Sequence, residues 1–253
     1  MAHLLPILTF HALDDQRSVI SFPPELFRRG MTKLYENGYR TIDLLDAIDC
    51  LRLKKPFPER YFIITFDDGY KSVYEKAFPI LRDYRLTATI FLTVGERGRA
   101  KPEERLPSLE GRSMLNWREI QEMKQWGFEF GAHTLTHSDL TLLPLERVRS
   151  EILDSKVIIE DTLNTPVKCF AAPYSRYDDR CLDIIRQHFT CACTDKLSLI
   201  NLRSDPYNLE RVDTYYLREE RLFNLMLTPL FPWYIRARSI PRVIRRFIQN
   251  GLK

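Results

Sequence analysis

The sequence predicts an α/β fold built on a parallel sheet, either open or closed into a barrel. Three observations point to it. Apolar and β-branched runs recur at residues 61–64, 87–94 and 167–171, and helix-compatible segments alternate with them. Continuous apolar runs of this kind suit strands buried on both faces. The chain, at 253 residues, is long enough for one large core, and no internal repeat, low-complexity tract or linker interrupts it before residue 221.

The elements follow in order. Residues 4–11 read as a first strand ending in His11. Pro23 and Pro24 open a helix that runs to Asn37, with Gly38 just past its end. Asp43 is placed to cap a short helix carrying Leu44, Leu45, Ile48 and Leu51. The run at 61–64 is the second main strand, and 72–84 is its following helix. Residues 87–94 form the next strand, and 95–113 a long polar loop, the kind that often walls a substrate cleft. A helix over 117–126 closes at Gly127, a strand follows at 128–130, and Pro144 starts the longest helix, with Val148, Ile152, Ile159 and Leu163 on one face. Strands at 167–171, 189–193 and 209–216, with a helix at 178–188, complete the alternation.

Two stretches carry chemistry. Thr65-Phe66-Asp67-Asp68-Gly69-Tyr70 sets adjacent carboxylates at the end of a buried strand, where open sheets and α/β barrels hold their active sites. A solvated turn would accept Asp-Asp-Gly as well. Gly131-Ala132-His133-Thr134-Leu135-Thr136-His137 supplies two histidines four apart, which on a helical turn would project from one face. Such a pair with one carboxylate from elsewhere suits a single divalent cation.

Together these stretches resemble the first two motifs of the polysaccharide deacetylase family, whose catalytic unit is the NodB homology domain (carbohydrate esterase family 4-like). Phe170-Ala171-Ala172-Pro173-Tyr174 resembles its third motif, and the similarity runs from about Ile7 to Asp213. The resemblance implies a distorted (β/α) barrel with fewer regular units than eight, here spanning residues 1–220. It implies a metal-dependent hydrolase that removes N-acetyl groups from an amino sugar in a glycan or glycoconjugate. Asp68, His133 and His137 would bind the metal and Asp67 would be the general base. The backbone N–H of Tyr174, in the turn after Pro173, would help hold the oxyanion. Zinc is the default ion, with cobalt, nickel or manganese compatible with the same donors. An O-acetyl ester is an alternative substrate.

The sequence departs from the family pattern in several places. The third motif usually carries an Arg where this chain has Ala171, and Ser175 stands where Gly commonly follows the Tyr. The fourth motif and the late histidine motif have no counterpart, since no His follows His188. The branch that resembles poly-N-acetylglucosamine deacetylases also has Ala at the Arg position and a His on an N-terminal strand. His11 matches that arrangement and is the candidate general acid. His3 and His188 are expected at the surface. From a different class, the departures fit a catalytically silent glycan-binding module that keeps the metal.

Composition bounds the remainder. Five cysteines without framework spacing predict reduced thiols, with Cys169 and Cys191 buried in apolar strand-like runs and metal binding at Cys191-Ala192-Cys193 disfavoured. The N-terminus lacks the basic stretch and cleavage site of a signal peptide, so a cytoplasmic location is expected, peripheral to a membrane if the tail engages one. From Arg221 onward there are seven Lys or Arg and no Asp or Glu, against 31 basic and 34 acidic residues before it. This extension, residues 221–253, is expected either to dock on the barrel with a solvated basic face or to contact anionic membrane or a lipid-linked glycan. Nucleic acid is disfavoured because no recognition motif accompanies the charge.

Overall fold

The computed structural model describes residues 4–95, 105 and 108–251, with 243–251 as backbone alone. His3, most of the 95–113 loop and the side chains of the basic tail from Val243 on lie outside the described residues. Seven parallel strands close into a barrel: β1 (Ile7–Phe10), β2 (Tyr61–Phe66), β3 (Thr89–Leu92), β4 (Glu129–Ala132), β5 (Cys169–Ala171), β6 (Cys191–Leu197) and β7 (Leu209–Asp213). Each strand pairs with its neighbour in chain order, and β1 closes the ring against both β2 (Leu8 opposite Ile64) and β7 (Leu8 opposite Val212). The two-residue strand Arg40–Thr41 pairs with the start of β2, on the edge that β3 occupies further along. The distorted barrel implied by the resemblance is therefore present, with the expected shortfall from eight strands.

Side-chain alternation sorts the strands into two cores. Ile7, Ile63, Phe91, Cys169, Cys191 and Leu209 form the inner layer, joined by Leu44, Ala47, Ile48 and Leu51 of helix α2 (Leu44–Arg52). Leu8, Phe10, Ile64, Phe66, Ile90 and Phe170 point outward to a helical layer. That layer includes α1 (Pro24–Glu36), α3 (Phe78–Asp83), α4 (Trp117–Gln125), α5 (Leu145–Leu163) and α6 (Asp179–His188). Gly131 makes room for the inner layer, because a Cβ there would lie 2.5 Å from the Phe91 ring and 2.9 Å from the Cys169 carbonyl.

Local departures from the sequence reading have identifiable causes. The helix after β2 begins as a π-helical turn, Val73–Ala77, before α3. Pro79 has no N–H to continue an α-helical ladder. Asp43 precedes α2 but makes no side-chain cap; its Oδ1 instead accepts from Thr87 Oγ1 at 2.7 Å. The last strand stops at Asp213, and a 3₁₀ turn, Thr214–Leu217, takes its place. Part of the polar loop returns as the hairpin of Ser108–Leu109 with Arg112–Ser113. All five cysteines are free, and Cys191 Sγ lies 3.5 Å from Cys169 Sγ on the neighbouring strand. His188 is exposed, as expected.

The basic extension ends in helix α7 (Phe231–Gly251), which contains Pro241. Phe223, Met226, Phe231 and Ile235 are buried in the same outer core as the barrel helices. Among the described residues, no helix is long and apolar enough to cross a membrane.

Candidate active site

The carboxyl ends of the strands surround a cleft of about 520 Å³ that holds both sequence motifs. At the end of β2, Asp67 continues the ladder through its N–H to the Phe10 carbonyl at 3.0 Å. Adjacent side chains on an extended strand diverge, yet both carboxylates enter the cleft. Asp68 and Gly69 take positive φ, 69° and 78°, and this tight turn swings Asp68 back toward Asp67. Asp tolerates the left-handed region better than most residues. Gly69 is required, because a Cβ would sit 2.7 Å from Leu92 and 2.8 Å from the Arg105 guanidinium. Arg105 is fully buried beneath the turn and donates to the carbonyls of Asp68 and Leu115, both at 3.1 Å, and to those of Gly69 and Thr93. Burial pushes its pKa down to about 9, which leaves it charged at neutral pH.

The His motif emerges from β4 as an irregular loop, not the helical turn its spacing suggested. Thr134 and His137 have φ of 69° and 60°, and the His137 N–H donates to Thr134 Oγ1 at 3.1 Å. His133 Nδ1 lies 2.7 Å from the Ala171 carbonyl. With its proton given to that carbonyl, the neutral ring offers only a lone pair at Nε2. That lone pair faces Asp68 Oδ1 at 3.3 Å, and His137 Nε2 faces the same oxygen at 3.0 Å. Asp68 Oδ1 is buried and has no hydrogen-bond partner of good geometry. Burial would raise the Asp68 pKa, but when the two Nε2 atoms carry protons, their hydrogen bonds and charge hold it well below the usual carboxylate range. Two imidazoles and one carboxylate with ligand atoms within 4.8 Å of one another fit a divalent cation. Such a set leaves coordination positions open, as catalytic sites do and structural ones do not.

Asp67 has a different partner, one that sequence reasoning missed. Arg211, on β7 inside the barrel, donates from both terminal nitrogens to the two Asp67 oxygens, each at 2.7 Å. Its Nε donates to the Thr194 carbonyl at 2.9 Å. Burial pushes the Asp67 carboxyl up, yet Arg211 outweighs it and holds the pKa below its ordinary value. Asp67 thus has a guanidinium partner from β7, where Ala171 on β5 offers none. The strand Leu209–Asp213 carries three charges in five residues, so no local signal marked Arg211 as the buried one that needs a carboxylate.

The remaining predicted residues also reach the cleft. His11 follows β1, and its Nε2 stands 3.8 Å from Asp67 Oδ2. Pro173 opens a turn in which Tyr174 has φ 56°, and the Tyr174 ring meets that of His137 edge-on at 4.9 Å between centroids. Glu110, from the described end of the polar loop, also lines the cleft. Among the described residues, Cys191 and Cys193 join no metal-ligating group.

A closed parallel barrel with an Asp-His-His cluster at its carboxyl end defines a class of metal-site (β/α)-barrel proteins. Residues 54–189 match the family model for polysaccharide deacetylase, and the chain belongs to that family. YxkH of Bacillus subtilis, named for a polysaccharide deacetylase, is 31% identical over 178 residues, 70% of this chain and 59% of YxkH. The poly-β-1,6-N-acetyl-D-glucosamine N-deacetylase of Staphylococcus aureus strain N315 is 29% identical over 143 residues, 53% of this chain and 47% of that protein. The chain thus spans 59% and 47% of the lengths of these relatives. Among solved structures, the Streptococcus pyogenes deacetylase PplD in complex with acetate superposes with a TM-score of 0.74 at 25% identity, over 84% of this chain and 92% of PplD. IcaB from Ammonifex degensii superposes with a TM-score of 0.71 at 26% identity, over 87% and 96%.

Proposed function

We propose that this chain hydrolyses N-acetyl groups on an amino sugar within a glycan or glycoconjugate. The observation that carries this is the division of labour between adjacent carboxylates. Asp68 faces two imidazoles, whereas Asp67 stays ionised on Arg211 and is free to take a proton. A divalent cation held by Asp68, His133 and His137, with zinc as the default, would supply a Lewis acid and a more acidic water. Asp67 Oδ2 accepts the proton of the attacking water. Arg211 fixes the plane of that carboxylate and keeps it ionised. His11 donates a proton from Nε2 to the leaving amine. The Tyr174 N–H supports the oxyanion while its ring walls the cleft. The substrate class rests on the Staphylococcus relative, whose name specifies an N-acetylated glucosamine polymer.

The test is acetate release from a panel of N-acetylated and O-acetylated glycans with added metal. Asp67→Asn should lower kcat by about 10²–10⁴-fold with metal content near wild type, and His11→Ala should lower it without metal loss. Equal turnover by wild type and Asp67→Asn would remove the assigned base. Metal-loaded protein that binds glycans but releases no acetate would favour the silent binding module.

We also propose that α7 meets an anionic membrane or a lipid-linked glycan. Exposed Leu230, Trp233 and Ile240 beside exposed Arg236 and Arg238 support this reading. Sedimentation with phosphatidylglycerol vesicles but not phosphatidylcholine vesicles is the expected result; no sedimentation with either removes it.

A further inference from the structure

The loop that carries both histidine ligands is held from behind by an acid outside the cleft. Glu151 sits in the middle of α5, between Val148 and Ile152, and its side chain is 0% exposed. Its Oε2 accepts the N–H groups of Leu135 and of Thr136, each at 2.9 Å. Its Oε1 accepts from Thr136 Oγ1 at 2.7 Å and lies 3.1 Å from Arg147 Nη2. Every oxygen of this buried carboxylate is therefore engaged, and most of its bonds go to Leu135 and Thr136, two of the three residues between the ligands.

The loop needs such an anchor. Thr134 is β-branched at φ 69°, and His137 stands at φ 60°, so two left-handed non-glycine residues flank Leu135 and Thr136. Conformations of that kind cost about 1–3 kcal/mol each and persist only where the surroundings over-determine them. They also turn successive N–H groups to one side, forming a concavity that binds an anion. Here the anion is the protein's own carboxylate.

We propose that Glu151 is a positioning residue for the metal site: by clamping Leu135 and Thr136 it fixes His137 Nε2 relative to His133 Nε2 and Asp68. The inference rests on Asp68, His133 and His137 being the ligands. Two substitutions separate position from charge. Glu151→Gln keeps the side-chain length and one oxygen able to accept both N–H groups, but loses the charge. Glu151→Asp keeps the charge but draws the carboxylate back by one methylene.

The experiment measures zinc affinity by competition with a chromophoric chelator, and the visible spectrum of the cobalt-substituted protein, on the full chain. Melting temperature is recorded alongside. Positioning predicts that Glu151→Asp binds zinc about 10–100-fold more weakly with a shifted cobalt spectrum. Glu151→Gln should stay near wild type in both. The reverse order would make Glu151 an electrostatic element and overturn the proposal. Unchanged affinity and spectrum in a folded Glu151→Asp protein, with only the melting temperature lowered, would reduce it to a structural acid. Failure of the wild type itself to bind zinc or cobalt would overturn the ligand set, a separate outcome from failure of Glu151 alone.

Discussion

At the scale of residues, the pair of Arg211 and Asp67 decides more than either motif suggests. Both side chains are almost wholly buried, and each satisfies the other through two parallel hydrogen bonds. Removing one partner from such a pair typically costs about 3–5 kcal/mol, because a desolvated charge is left behind. Arg211→Met should therefore destabilise the protein by about that amount in denaturant unfolding and lower kcat with it. Arg211→Lys keeps the charge but not the planar fork, so it should recover stability better than turnover. Turnover at the wild-type level in Arg211→Lys would show that carboxylate orientation is unimportant. The motif residues Asp67, Asp68, His133 and His137 were legible because their types and spacing are local. Arg211 lies 144 positions from Asp67, and in a strand that also carries Glu210 and Asp213 nothing local marks it as the buried charge.

At the scale of elements, packing overrides intrinsic preference at several points. Gly30 lies inside α1 on its buried face, where alanine would be the better helix former by about 1 kcal/mol. A Cβ there would approach the Phe223 ring to 2.5 Å. Gly30→Ala should therefore lower stability, by about 1–3 kcal/mol, against the direction of helix propensity. Adding Phe223→Leu should recover part of the loss in thermal unfolding; a stabilised single mutant would contradict the packing. Strand and helix order was readable from periodicity. The shape of the 133–137 loop was not, because its left-handed residues are neither Gly nor Asn and are held by hydrogen bonds from α5.

At the scale of the molecule, the basic extension is part of the body and of the cleft. Phe231 and Ile235 are buried, the Tyr234 hydroxyl donates to the Tyr216 carbonyl at 2.6 Å, and Arg242 pairs with Asp213 at 3.1 Å. Pro241 and Arg242 form a stretch of the cleft wall. A chain stopped after Thr228 should lose about 3–6 kcal/mol from the two apolar side chains alone. Arg242→Ala in the full chain should raise KM more than it lowers kcat, since this side chain lines the cleft but bonds to Asp195 and Asp213, not to Asp67. Unchanged KM would remove the helix from substrate contact.

The sequence by itself determined the α/β alternation, the candidate metal ligands and the lone carboxylate beside them. The alternation depends on short-range periodicity, and the division of the carboxylates on motifs of a few residues that resemble those of the family. Only the tertiary structure decided that β1 pairs with both β2 and β7, that Arg211 pairs with Asp67, that Glu151 accepts from the 133–137 loop, and that α7 reaches the cleft. Each of those depends on barrel closure and strand register, which choose the residues that share the interior. No window of sequence contains that information, because the partners meet only after the chain has closed on itself.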